Sequence, residues 1–207
     1  MRSLFLVLLA ACGSSPVPEA PTAVEAPQAP GATTAQAGET DAQALERAKG
    51  AAQHLGKTLK GRLVGKMSEG GPPAALEVCT ADASALTQQV SDTQGVHVGR
   101  STLRLRNPAN VGPDWVQAWL TNAGERPAAG LAPVTEVVDT PNGRVAHFLK
   151  PLPVEAPCLA CHGPAESLAP EISALLAKSY PDDKATGYAL GDLRGVLWAE
   201  TPVKTTP

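Results

Sequence analysis

The segment Cys158-Leu159-Ala160-Cys161-His162 constrains this chain more than any other five residues in it. Two thiols at this spacing stand about one helical turn apart, and a His follows the second directly. Each thiol can add to one vinyl group of the same porphyrin, and the His is then carried beneath the iron; Cys-x-x-Cys-His is the attachment signature of c-type haem. Two other readings use the same residues, a thioredoxin-like dithiol and half of a zinc site. The dithiol reading goes with a βαβ pattern, which the sequence does not display, and the zinc reading needs further His or Cys ligands. One haem c per chain is therefore expected, attached through Cys158 and Cys161, with His162 as an axial iron ligand.

The first residues give an address. Met1-Arg2-Ser3 and the apolar run Leu4 to Leu9 have the build of a secretory signal. The run is far shorter than the ~20 apolar residues of a membrane-spanning helix. Leu9-Ala10-Ala11-Cys12 resembles the lipobox of bacterial lipoproteins, in which the Cys is diacylated and becomes the new N-terminus. The alternative is an ordinary signal peptide with an incidental Cys. The expectation is a signal peptide over 1–11 and a lipid anchor on Cys12, on the periplasmic side of a bacterial membrane. Gly13 rather than Asp after the Cys points to the outer membrane. Export agrees with haem c, whose attachment is completed outside the cytoplasm. Residues 12–40, rich in Pro and Ala after Cys12, have too little apolar surface to offset ordering and read as a disordered tether. A single domain is expected over 41–203, with a short tail at 204–207.

A net charge of −3 leaves no nucleic-acid footprint. Aromatic residues make up only 3% of the chain, where a domain of this size usually packs several large rings, so a haem would serve as core filling. With Cys12 assigned to lipid, Cys79, Cys158 and Cys161 remain, an odd number that makes no tidy disulfide framework. Two spent on haem and one as a thiolate ligand would use them all.

Hydrophobic spacing gives the elements. Leu45, Ala48, Ala52, Leu55, Leu59 and Leu63 form one stripe of a helix capped by Asp41 and running to Met67, where Gly70-Gly71 ends it. Pro72-Pro73 opens a second helix that ends at Gly95, with Leu76, Cys79, Ala83, Leu86 and Val90 on one face. Val96 to Leu105 reads as a strand, 113–122 as a short helix bearing Trp115 and Trp119. Pro141-Asn142-Gly143 joins two strands of a hairpin, and Pro151-Leu152-Pro153 breaks the sheet. A helix over Ser167 to Lys178 and a strand over Gly195 to Ala199 follow. The order predicts an α+β domain, an antiparallel sheet flanked by helices.

For the second axial position the residues leave Met67, Cys79, His54, His97 and His147 open. A resemblance narrows the choice. Leu76-Glu77-Val78-Cys79, the run Val98 to Asn110 (VGRSTLRLRNPAN), Cys158 to Gly163, Tyr180 to Tyr188 (YPDDKATGY) and Gly191 to Gly195 (GDLRG) together are similar to the bacterial family of single-haem-c domains with a PAS-like fold, formerly a domain of unknown function. The resemblance spans nearly all of 41–203. It implies iron held between the attachment His, here His162, and a Cys thiolate from the earlier helix, here Cys79. Relatives often precede histidine kinases, whereas Lys204-Thr205-Thr206-Pro207 follow Val203 here. On the expected strand Arg100, Arg104 and Arg106 share one face. Arg100 and Arg104 are candidate partners of haem propionates, since guanidinium matches carboxylate bidentately; a solvated edge is the other reading.

Three functions compete. The first is a redox or gas sensor with labile Cys/His ligation, its partner a small gaseous ligand or a redox protein. The second is a one-haem electron carrier. The third is catalysis such as peroxidase chemistry, ranked last because no distal acid–base constellation is marked.

Overall fold

The computed structural model describes residues 38–205; Cys12, the signal peptide and most of the expected tether lie outside the described residues. Helix α1 (Asp41–Glu77) is capped by Thr40, not Asp41. The Thr40 hydroxyl accepts from the Gln43 N–H while the Gln43 side chain accepts from the Thr40 N–H, and Asp41 sits in the first turn, where a negative charge suits the helix dipole. Gly70-Gly71 proves a kink rather than an end. Gly71 at φ 70° leaves helical geometry and Pro72-Pro73 restart it at once, so a second, short helical stretch follows the first across the bend. Beyond Glu77 one turn widens to π geometry over Val78–Asp82, and α2 (Ala83–Gln94) then continues to a left-handed Gly95.

Strand β1 (His97–Ser101) is half as long as the sequence suggests. The Ser101 hydroxyl accepts from the Gly112 N–H and the Gln117 amide, which turns the chain out of the sheet there. Arg104 and Arg106 therefore lie beyond the strand and do not share a face with Arg100. Helix α3 (Asp114–Ala123) precedes the hairpin of β2 (Val134–Thr140) and β3 (Gly143–Pro153), in which Thr140 pairs with Gly143 across Pro141-Asn142. The prolines do not break β3 as expected. β2 ends opposite Leu149, so beyond it β3 has a free edge, and Pro151 and Pro153 give up no ladder donor while the other edge stays paired with β4 (Leu193–Pro202). A bulge at Leu152/Pro153 ends the pairing. Helices α4 (Leu159–His162) and α5 (Pro170–Ser179) lie between β3 and β4 in sequence. The sheet order is β1-β4-β3-β2, antiparallel throughout, and the fold is α+β as expected.

Both faces of the sheet are covered, which is why Gly195 to Ala199 is buried without alternation. Val98, Phe148, Leu197 and Ala199 meet α1 and α2, while Leu149, Val196 and Trp198 meet α3. α1 approaches through small residues. Ala48, Ala51 and Ala52 are fully buried, and a Cβ on Gly56 would stand 2.7 Å from Leu197 Cδ1. Close approach of backbone to sheet replaces bulky filling, so the scarcity of aromatics has a packing cause independent of any cofactor. Full burial of a side chain such as Leu55 contributes roughly 1.5–3 kcal/mol here.

Candidate functional site

The Cys158–His162 segment forms a turn and a single helical turn after β3. Its two thiols pack against different clusters. Cys158 lies with Val154, Ala185 and Tyr188, and Cys161 with Leu76, Ile172 and Leu176. Cys79 and Tyr180 belong to the second cluster, so the topology brings Cys79, 82 residues earlier, alongside Cys161. Burial pushes the Cys161 thiol up, and the nearby Arg106 partly offsets this. The carbonyls of His162 and Gly163 accept from Tyr188 and Gly187 at 2.9 and 2.7 Å, which fastens the segment to the loop before β4.

His162 is held in one orientation by its Nδ1, 2.6 Å from the Ala185 carbonyl. An oxygen that only accepts assigns the proton to Nδ1 and makes Nε2 the accepting nitrogen. Burial, then the charges of Arg194 and Arg106, bring its pKa down to about 3, so the ring is neutral at physiological pH. A neutral imidazole whose other nitrogen donates to a carbonyl is the usual arrangement of a metal-ligating His. Arg194 Nε–H donates to His162 Nε2 at 3.4 Å, a long contact that a metal held by His162 would replace.

His162 opens on a cavity of about 160 Å³, bordered by Arg100, Arg106, Leu152, Arg194 and Gly195. Its three guanidiniums differ in their compensation. Arg106 pairs with Asp183 at 2.9 Å, both side chains almost wholly enclosed. Among the described residues neither Arg100 nor Arg194 has a carboxylate within 4.0 Å, and burial lowers the pKa of both. Two partly buried cations without anions favour a ligand that brings negative charge. The cavity is thus suited to anionic groups beside a centre that accepts an imidazole nitrogen.

Arg104 is placed elsewhere. It is exposed, donates to the carbonyls of Lys184 and Thr186, and lies 4.1 Å above the Tyr188 ring. Arg194 stands 5.4 Å from the same ring. Of the other ligand candidates, His97 contacts Glu200 at 2.8 Å and His147 stacks on Trp115 at 4.1 Å, both within a cross-strand row His97-Glu200-His147-Glu136. His54 is exposed on α1, and Met67 is half-buried before the kink. Cys79 sits in the widened π turn, where its carbonyl accepts from the Tyr180 hydroxyl at 2.8 Å. Asp183 is a site residue to which the sequence assigns no role; Arg106 enters there only as one of three arginines on an expected strand face, and Arg194 only as part of a motif. The signal available was their place in the Arg-Asn-Pro, Tyr-Pro-Asp-Asp and Gly-Asp-Leu-Arg-Gly runs, which carry the family resemblance.

No curated protein matches the chain. Among solved structures it is similar to the crystal structure of the cyanobacterial heme-protein Tll0287, with a TM-score of 0.52 and 23% sequence identity, over 74% of this chain and 94% of that one. At that identity the likeness speaks for the fold. The family model described as Tll0287-like matches residues 31–202. That span takes in every element described above, and the chain belongs to the Tll0287-like family.

Proposed function

We propose that this chain is a membrane-anchored, single-haem-c protein of the bacterial periplasm that senses redox state or a small gaseous ligand. Cys158 and Cys161 would carry the thioether links, and His162 Nε2 and the Cys79 thiolate would hold the iron. The observation that carries the reading is the convergence, on one cavity, of a neutral imidazole oriented through Nδ1 and two guanidiniums without carboxylate partners. A haem has a metal centre, an apolar body and two propionates, and the residues present fit it. Arg100 and Arg194 are the propionate partners that the burial argument favours. Family membership, and the heme-protein named in the similar structure, support the same cofactor.

Bound haem iron supplies a one-electron centre whose hold on a thiolate weakens on reduction. The chain contributes the element that permits release. Cys79 is carried on a π turn, whose hydrogen bonds are one residue out of register with α1 and α2, so a return to α geometry would move the side chain around the axis. That observation favours a sensor over an electron carrier, in which both ligands stay in place. Cys12 supplies the lipid anchor, in the outer membrane.

The experiment is the Cys79→Ser holoprotein beside the parent. Haem should stay on the polypeptide in a denaturing gel in both. The variant should lose the low-spin thiolate signature in ferric electron paramagnetic resonance and shift to a higher potential. Absence of gel-retained haem in the parent sinks the haem c reading; an unchanged ferric spectrum in the variant hands the site to the electron-carrier reading.

A further inference from the structure

The Arg106–Asp183 pair is almost wholly enclosed, with side-chain exposures of 7% and 10%. Burying an ion pair is weak support for stability, because desolvating both charges offsets their attraction. Its hydrogen bonds point to a different task. Asp183 Oδ1 accepts the Ala185 N–H at 2.8 Å, and Arg106 Nη2 donates to the Ala185 carbonyl at 3.3 Å. The pair thus grips both polar groups of one residue. The carbonyl it grips is the one that accepts from His162 Nδ1. The same Nη2 donates to the Cys161 carbonyl at 2.6 Å, one residue before His162. Arg106 Nε completes the arrangement on Asp183 Oδ2 at 3.0 Å.

Resting on the haem reading above, we propose that Arg106 and Asp183 are positioning residues that set how strongly His162 donates to iron, by controlling the Ala185 carbonyl. A carbonyl that receives Nδ1–H alone draws that proton fully and makes Nε2 a stronger donor. A carbonyl shared with a guanidinium has less to give, and the imidazole stays a weaker donor. The Arg106 charge acts in the same direction through space, since its Nη2 stands against the carbonyls on both sides of the His162 ring's attachment, those of Cys161 and Ala185. Asp183 acts in the opposite direction by neutralising that charge. The two halves of the pair therefore pull the iron's preference between ferric and ferrous in opposite directions.

The test compares full-length holoprotein with Asp183→Asn and Arg106→Gln by spectroelectrochemistry. D183N keeps an acceptor for Ala185 N–H but leaves Arg106 uncompensated, which favours the ferrous state. R106Q removes the charge and draws the side chain's donors back from the Ala185 carbonyl, and it leaves Asp183 uncompensated, which favours the ferric state. Each should change the reduction equilibrium about tenfold, close to 59 mV for a one-electron couple, with opposite signs. If the pair serves only to hold the segment in place, both variants loosen it alike; shifts of one sign, or none, overturn the proposal while gel-retained haem leaves the haem reading standing. Loss of haem from the parent itself would instead strike the haem reading. Should either variant fail to accumulate, Arg106→Lys decides. It keeps the buried charge but replaces the planar fork, whose Nε bonds Asp183 and whose Nη2 bonds the two carbonyls, by a single ammonium, so the ferric g-anisotropy should change with haem retained, and g values equal to the parent's overturn the proposal.

Discussion

Replacing Gly195 by Ala tests how the sheet and the cavity are joined. Gly195 opens the buried run of β4 and borders the cavity between Arg194 and Val196. Its φ of 153° is one that residues with a side chain rarely adopt, and a Cβ there would lie 2.4 Å from the Ser101 carbonyl oxygen. Carbon and carbonyl oxygen in a sheet ordinarily meet at about 3.3–3.6 Å. Nothing at this contact is a flexible side-chain tip. Ser101 is the last β1 residue paired with β4, and its hydroxyl is already engaged by Gly112 and Gln117. Backbone strain of roughly 1–3 kcal/mol and overpacking of roughly 1–3 kcal/mol add, for a central value of about 4 kcal/mol. For a domain of this length that lowers the melting temperature by roughly 8–16 °C. Thermal unfolding followed by circular dichroism reads it. Gly50→Ala is the control, because Gly50 lies in α1 with nothing within 4 Å of an added Cβ, and Ala there should be neutral or slightly stabilising. A G195A protein that melts within about 2 °C of the parent would refute the claim that β1 and β4 leave no room beside the cavity.

Tyr180→Phe removes the hydroxyl that donates to the Cys79 carbonyl, so the protein should lose about 1 kcal/mol and, where Cys79 ligates iron, show an altered ferric spectrum with haem still attached; equilibrium urea unfolding and absorption spectroscopy check the two effects separately. The His147 pKa is lowered chiefly by burial, so the unfolded chain takes up its proton at a higher pH than the folded one. Its contribution is complete above the ordinary imidazole pKa and is lost as pH falls through the depressed folded value; His147→Gln should flatten the dependence of melting temperature on pH over the acid side of neutrality.

The sequence made local features legible and left the tertiary ones hidden. The stripe on α1, the Pro141-Asn142 hairpin and the covered strand β4 are written in spacing and turn chemistry, and the structure has them. Gly70-Gly71 reads as a helix end because a Gly pair signals departure from helical geometry, whereas the two prolines directly after it restart the helix. Pro151 and Pro153 were misread because their tolerance depends on where β2 stops, which no local pattern states. The π turn at Cys79 has no composition of its own; it accompanies a carbonyl taken by Tyr180, 101 residues away. Arg106 and Asp183 stand 77 residues apart, and their pairing follows only from the way the loop before β4 folds back over the Cys158–His162 segment.

The sheet order also fixes a sequence of events. β4 is the last strand among the described residues, yet it lies between β1 and β3, and Glu39 and Lys204 bond to each other across the seam. A ribosome delivers the Cys158–His162 segment before the strand that completes its support. Until β4 arrives, β1 has no neighbour, α1 lacks half of the surface it packs on, and Arg194 has not been made. Pairings this distant in sequence close slowly, so the sheet around the Cys158–His162 segment is completed only when β4 is in place.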